Sequence, residues 1–210
     1  MQASNQIETD LCNKGYKSIV GLDEVGTGSL VGDAFVAGVI FPLSIDYTKL
    51  LPGLNDSKKK TEKQRSVLYE QIKQYAYFYC VERVSQKEIE DLNVYWAKFE
   101  GFKRVVSKLN PDYILIDGNH TIKDILIEQM AIVKGDSKSI SIAAASILAK
   151  VERDNYIVEL GKQYPSYNWE KNKAYATKDH LDAINKYGKT KYHRNNFLKN
   201  TYWHTLQLFI

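Results

Sequence analysis

Hydrophobic positions change period along this chain, and the changes mark out its elements. The apolar run Ser18-Ile19-Val20-Gly21-Leu22 predicts a strand, ending at Asp23-Glu24 and followed by the glycine-punctuated turn Val25-Gly26-Thr27-Gly28. A second strand is predicted over Ala34 to Phe41, rich in Val, Phe and Ile and closed by Pro42, so the two form a hairpin or lie as close neighbours. Leu51 to Ser57 is rich in turn residues. Thr61-Glu62-Lys63-Gln64 then reads as a helix start, with Val67, Leu68 and Ile72 as its apolar stripe. Tyr75 to Val84 reads as a strand, Asn93 to Leu109 as a helix, and Tyr113-Ile114-Leu115-Ile116 as a short buried strand that delivers Asp117 at its C-terminal end. Past Ala131-Ile132-Val133 and Lys134-Gly135-Asp136 comes a long helical run. Ile140, Ala144, Ile147, Leu148 and Val151 share one face of it, and Ala143 to Ala145 permit close approach to a sheet.

This alternation predicts an α/β body over 1–160 followed by a helical extension over 161–210, with no repeat, low-complexity tract or linker between them. At 210 residues and 44% hydrophobic the chain can bury a core without a disulfide or a structural metal. Cys12 and Cys80 form neither a disulfide framework nor a zinc-type cluster. No run of about 18 apolar residues predicts a membrane span, and Met1 to Asp10 lacks the order of a signal peptide, so a soluble, cytoplasmic protein is expected.

The net charge of +4 is unevenly spread. Residues 161–210 carry nine Lys/Arg against three acids, ten of the 25 aromatics and three of the four histidines. Basic groups interleaved with Tyr164, Tyr167, Trp169, Tyr175, Tyr187 and Tyr192 suit a polyanion whose sugars and bases offer flat faces. A solvated lysine-rich face over a small aromatic core would give the same composition.

Four acids stand where predicted strands end or a helix begins: Asp23, Glu24, Asp117 and Asp136. If the fold brings them together they repel one another, and a pair of divalent cations with a preference for oxygen ligands would relieve the repulsion and promote phosphodiester hydrolysis. Taken singly, each acid also fits an Asx-turn or a helix N-cap, as Asp136-Ser137 does ahead of the long helix. Adjacent Asp23 and Glu24 point to opposite faces unless their strand has ended. Spacing alone leaves both readings open.

Gly21-Leu22-Asp23-Glu24-Val25-Gly26-Thr27-Gly28, Leu54-Asn55-Asp56-Ser57-Lys58, Leu115-Ile116-Asp117-Gly118-Asn119 and the long block from Lys134-Gly135-Asp136 to Arg153-Asp154 resemble ribonuclease HII in order and spacing. The resemblance runs from about Ser18 to Phe197. It implies a ribonuclease H-like mixed sheet flanked by helices, with a short helical C-terminal extension that completes the substrate site. It further implies Mg²⁺ or Mn²⁺ held by Asp23, Glu24, Asp117 and Asp136, and hydrolysis of the RNA strand of RNA-DNA hybrids to 5′-phosphate and 3′-hydroxyl ends. Incision 5′ to ribonucleotides embedded in duplex DNA is expected as well.

Gly26-Thr27-Gly28 departs from the Gly-Arg-Gly usual in ribonuclease HII and looks like the form in ribonuclease HIII, and Ser29 and Asp33 replace nearby prolines. The 22 residues before Asp23 are too few for the extra N-terminal domain of ribonuclease HIII, and the Lys-Gly-Asp block also favours HII. A Gly-X-Gly turn bares backbone groups that can bond a ribose 2′-hydroxyl, which Thr27 preserves, while a fixed positive charge is lost. Asn172-Lys173-Ala174-Tyr175-Ala176-Thr177-Lys178-Asp179-His180 resembles the family's stacking-tyrosine segment, with Tyr175 as the match and Ala174 and Ala176 where glycines are common. Lys58 and Lys138 are candidate phosphate contacts helped by Asn55, Ser57 and Ser146, whereas Lys59, Lys60 and Lys171 read as solvated charges. Tyr192-His193-Arg194-Asn195-Asn196-Phe197 resembles the closing motif and reads as packing or phosphate contact.

Two other functions fit the same acids: a ribonuclease H-like nuclease acting on DNA, such as an integrase or resolvase, and a hybrid-binding module with a degenerate site. A monomer is expected. The ending Thr205 to Ile210 reads as a segment packing back on the domain or as a sliding-clamp peptide.

Overall fold

The computed structural model describes residues 3–55 and 57–199. The tail from Thr205 to Ile210, with its two readings, lies outside the described residues.

A short helix α1 (Gln6–Asn13) leads into β1 (Ile19–Val25), which turns back into β2 (Ala34–Ile40). The one-turn α2 (Tyr47–Leu50) and α3 (Glu62–Tyr75) then precede β3 (Phe78–Val84). Helices α4 (Gln86–Leu92) and α5 (Val94–Leu109) follow, then β4 (Tyr113–Asp117) and β5 (Glu128–Ile132). The long α6 (Ile140–Gln163) and the shorter α7 (Trp169–Asn172) and α8 (Lys178–Tyr187) complete the chain order.

The five strands form one mixed sheet in the order β3-β2-β1-β4-β5. β1 pairs antiparallel with β2, as β2 does with β3, while β1–β4 and β4–β5 are parallel. The parallel pairing matters most for chemistry, because it brings the C-terminal ends of β1 and β4 to the same edge of the sheet.

Alternation along the strands divides the core into two layers. Val20 and Leu22 of β1 and Val36 and Ile40 of β2 pack with Phe102, Val105 and Val106 of α5. Ala37 and Val39 face the other way, onto Ala144, Ile147 and Leu148 of α6. Gly21 is what lets α6 lie so close: a Cβ there would sit 2.3 Å from the backbone nitrogen of Ile142. Gly21→Ala is therefore expected to cost about 3 kcal/mol and to lower the melting temperature by roughly 6–12 °C, measured by calorimetry. An unchanged midpoint would show that the helix–sheet spacing is looser than described.

The start of α6 differs from expectation. A 3₁₀ turn over Gly135–Ser137 precedes it, and the N-cap is Ser139, whose Oγ accepts the Ile142 N–H at 3.2 Å. Asp136 is thus not the cap, which removes one structural explanation for it. Glu8 of α1 is buried beside this cap and accepts from the Ser139 and Ser141 hydroxyls, both at 2.6 Å.

Other boundaries also move. β1 continues through Asp23 and Glu24 to Val25 because the ladder with β2 holds as far as the Val25–Phe35 pair. β3 starts at Phe78 rather than Tyr75, since α3 keeps its hydrogen bonding through Ala76, whose N–H bonds to the Ile72 carbonyl. The C-terminal extension builds its own core from Tyr167, Trp169, Ala183 and Ile184, packed with Ile157 and Leu160 of α6 and Leu30 and Val31 of the β1–β2 connection. Cys12 and Cys80 are free thiols. Among the described residues no helix is long and apolar enough to cross a membrane.

Candidate active site

β1 carries Asp23 and Glu24 on opposite faces, as strand geometry requires, yet both reach one cleft because they lie at the C-terminal edge of the sheet. Asp117 arrives from the parallel neighbour β4, and Asp136 from the 3₁₀ turn before α6. The cleft, of about 400 Å³, is lined by these four acids, by Gly26, Thr27 and Gly28, by Ser57, Lys58, Ser146 and Lys150, and by Tyr175. Residues from five distant stretches of the chain therefore meet on one surface.

The electrostatics are strained. Asp23 is 6% exposed, and its carboxyl is pushed well above the usual range, first by burial and then by the negative charges of Glu24, Asp117 and Asp136. Its Oδ1 accepts the Glu24 N–H at 2.7 Å, which only partly opposes that shift. Glu24 is also raised by burial, against the pull of Lys98, whose Nζ lies 3.0 Å from Glu24 Oε1. The other oxygen, Oε2, is buried with no hydrogen-bond partner. Asp117 Oδ1 accepts the Gly135 N–H at 2.7 Å, which ties the end of β4 to the turn that holds Asp136.

An oxygen-only set of converging carboxylates, one of them with an orphaned buried oxygen, fits a hard divalent cation. Among the described residues no three His, Cys, Asp or Glu side chains stand gathered tightly enough to hold an ion as they are. Lys98 engages one oxygen of Glu24 and the Gly135 N–H one oxygen of Asp117, which leaves Glu24 Oε2 unpartnered.

The pH dependence follows with its sign. A carboxyl raised above its unfolded value contributes stability that is full below that unfolded value and is lost as pH rises through the folded one. Ionised Asp23 and Glu24 therefore destabilise the metal-free protein increasingly toward neutral and alkaline pH, and a cation that binds the ionised form offsets this. The rise in melting temperature produced by saturating Mn²⁺ is expected to be larger at pH 8 than at pH 5.5, by roughly 3 °C or more. A shift independent of pH would contradict the shared repulsion.

The remaining expected residues divide. Ser146 Oγ donates to Ser57 Oγ at 2.8 Å, so this pair is fixed on the cleft wall. Lys58 lines the cleft and lowers the Glu24 carboxyl, which places its charge beside the acids. Lys138 is exposed and is not part of the lining, and Asn55, with its buried Oδ1 unpartnered, also stands outside it. Tyr175 stands with its ring centroid 4.9 Å from the Arg153 guanidinium and 5.9 Å from Lys150 Nζ.

Sequence reasoning missed Lys98, Lys150, Arg153 and the role of Arg194. Lys98 gave no signal, because a lysine on α5 is indistinguishable from a solvated one until β1 is placed beside it. Arg153 and Arg194 gave none either: each is fully buried in the structure, but in the sequence they stand among polar neighbours, Glu152 and Asp154 or His193 and Asn195.

The ribonuclease HII family profile matches residues 20–205 of this chain. A ribonuclease HII of Caldicellulosiruptor bescii is 45% identical over 197 residues, covering 93% of each chain. Among solved structures, that of the PCNA:RNase HII complex from Archaeoglobus fulgidus superposes with a TM-score of 0.72 at 25% identity, covering 85% of this chain and 94% of that one. Bst-RNase HIII in complex with Mn²⁺ shares the fold at a TM-score of 0.65 and 19% identity, covering 87% and 67% respectively. With the profile spanning nearly all of the sheet, the cleft and the extension, this chain belongs to the ribonuclease HII family.

Proposed function

We propose that this chain is an endoribonuclease that cuts the RNA strand of RNA-DNA hybrids and incises 5′ to single ribonucleotides in duplex DNA, leaving 5′-phosphate and 3′-hydroxyl ends. The observation that carries this reading is the lining of one cleft by four acids from three elements together with the Gly26-Thr27-Gly28 turn and Tyr175. Asp23, Glu24, Asp117 and Asp136 would hold Mg²⁺ or Mn²⁺, in keeping with the Mn²⁺ complex of the related fold. When bound, such cations neutralise charge at the scissile phosphate and make water a better nucleophile there.

The chain's own residues supply the rest. Lys58, with Ser57 and Ser146 behind it, offers charge and hydroxyl groups to a phosphate entering beside the acids. The Gly26-Thr27-Gly28 backbone faces the sugar, where a 2′-hydroxyl separates RNA from DNA. Tyr175 offers a flat ring to the neighbouring sugar or base, backed by the Arg153 guanidinium.

The test is a gel assay on three duplexes: one all-DNA, one with a single ribonucleotide, and one long hybrid, each with Mg²⁺ or Mn²⁺. The expected result is a nick 5′ to the ribonucleotide, cutting along the hybrid's RNA strand, and an intact all-DNA duplex. Equal cutting of the all-DNA duplex would favour a DNA nuclease, and absence of divalent-dependent cutting on all three would favour a binding module.

A further inference from the structure

The Gly26–Gly32 segment fixes only part of its own shape. Gly26 and Gly32 both adopt positive φ, +84° and +73°; the Ser29 N–H bonds to the Gly26 carbonyl at 3.3 Å, and the buried Ser29 hydroxyl donates to the carbonyls of Gly26 at 3.0 Å and Val31 at 3.1 Å. The rest is held from the far end of the chain, by backbone bonds of Leu30 with Ala174 and Arg194 and of Gly32 with Tyr192, and by one side chain. The Arg194 side chain is fully buried beneath the segment. Its Nε donates to the Gly32 carbonyl at 2.8 Å, and its Nη1 donates to the carbonyls of Gly26 at 2.8 Å, Ser29 at 3.0 Å and Thr27 at 3.2 Å. Among the described residues it forms no ion pair with a carboxylate, so these carbonyls are the main solvation of a buried cation. Burial and the neighbouring Arg153 charge bring its pKa down to about 10, still far above neutrality, so it stays charged.

This arrangement has a directional consequence. Three carbonyls of the turn point down into the guanidinium, and among the described residues no acceptor is bonded to the N–H of Thr27 or Gly28. Open space surrounds the position a Cβ would take at Gly28, and both residues line the cleft. What the turn shows to a ligand is therefore donors, matched to an acceptor oxygen. The planar fork of arginine can serve several carbonyls at fixed angles, whereas a lysine ammonium is a point charge on a flexible stem.

We infer that Arg194 is a positioning residue for sugar discrimination: by gathering the carbonyls of Gly26, Thr27, Ser29 and Gly32 it holds the turn with its N–H groups toward the ribose 2′-hydroxyl. The inference rests on the reading of this turn as the sugar-contacting element. It assigns RNA-over-DNA preference to a side chain 167 residues from Thr27 that touches no substrate.

The test measures binding, without divalent cations, of the full chain and its Arg194→Lys variant to two fluorescent duplexes that differ by one 2′-hydroxyl. Both offer the same phosphates, so a donor surface that serves only phosphate gives equal affinities. Wild type is expected to prefer the ribonucleotide duplex, and Arg194→Lys is expected to reduce that preference by roughly tenfold, toward equality, while affinity for the all-DNA duplex moves less than about twofold. A merely structural role would lower the melting temperature and leave the ratio of affinities unchanged, and a folded Arg194→Lys with the wild-type ratio overturns the inference. Equal wild-type affinities would sink the reading of the turn itself, and the inference with it. Should the variant not fold, ¹⁵N spectra of the wild type decide: the Arg194 Nε–H resonance is expected to move with the ribonucleotide duplex and not with the all-DNA duplex. Equal response to both would overturn the proposal.

Discussion

Asp136→Asn is expected to lower single-turnover cleavage of a ribonucleotide-bearing duplex by roughly 10³-fold or more, equivalent to about 4 kcal/mol, while binding stays within about twofold. The side chain is not the cap of α6, which Ser139 provides, so an amide of the same shape leaves the helix start intact. What changes is charge: one of the acids that raise the Asp23 carboxyl is removed, and one of the four carboxylates facing the cleft becomes a neutral amide. Rate under saturating enzyme and affinity by anisotropy without divalent ions separate the two effects. A rate within tenfold of wild type, with binding unchanged, would remove Asp136 from the catalytic set.

The second large effect is expected at Tyr175. Its backbone is anchored without help from its ring: the N–H donates to the Asn172 carbonyl at 3.0 Å, and the carbonyl accepts the Thr177 N–H at 2.8 Å and faces His180 Nδ1 at 2.9 Å. Tyr175→Ala therefore removes the ring while the turn remains. Stacking on a sugar or base is worth about 1–3 kcal/mol, so incision at a single embedded ribonucleotide is expected to fall roughly 5- to 150-fold. Long hybrids offer many equivalent positions along the strand and are expected to lose less, and Tyr175→Phe is expected to retain most activity on both. The ratio of kcat/KM on the two substrates is the readout. Proportional losses would assign Tyr175 to packing and not to junction reading.

How much of this was legible beforehand varied with the kind of signal. The main strands and α6 announced themselves through apolar periodicity. α3 did so through the Thr61 and Gln64 capping box, which the structure contains as such. α4 carries the same signature at Ser85 and Glu88 and went unread. β5 is an edge strand whose residues alternate between exposed and half-buried until Ile132, so its sequence lacks the apolar run that marked β4. Helix α1 gains its place from the buried Glu8 at the start of α6, a tertiary contact with no local trace.

The site was legible as motifs and illegible as geometry. Asp23, Glu24, Asp117 and Asp136 were marked by their position at element ends, but the shared cleft depends on β1 and β4 being parallel neighbours, which local sequence does not state. Lys138, expected as a phosphate contact, stands just past the 3₁₀ turn at an exposed position outside the cleft lining. For Arg194, read as packing or phosphate contact, the structure favours packing: it is sealed from solvent and holds backbone carbonyls of the loop from the first hairpin.

The measurement that bears most directly on the whole account is a crystal structure of the chain grown with Mn²⁺, with the ions located by their anomalous signal. Anomalous density is expected between Asp23, Glu24, Asp117 and Asp136, the acids that line the cleft. A cleft without density at saturating Mn²⁺, or density only elsewhere, would contradict the account.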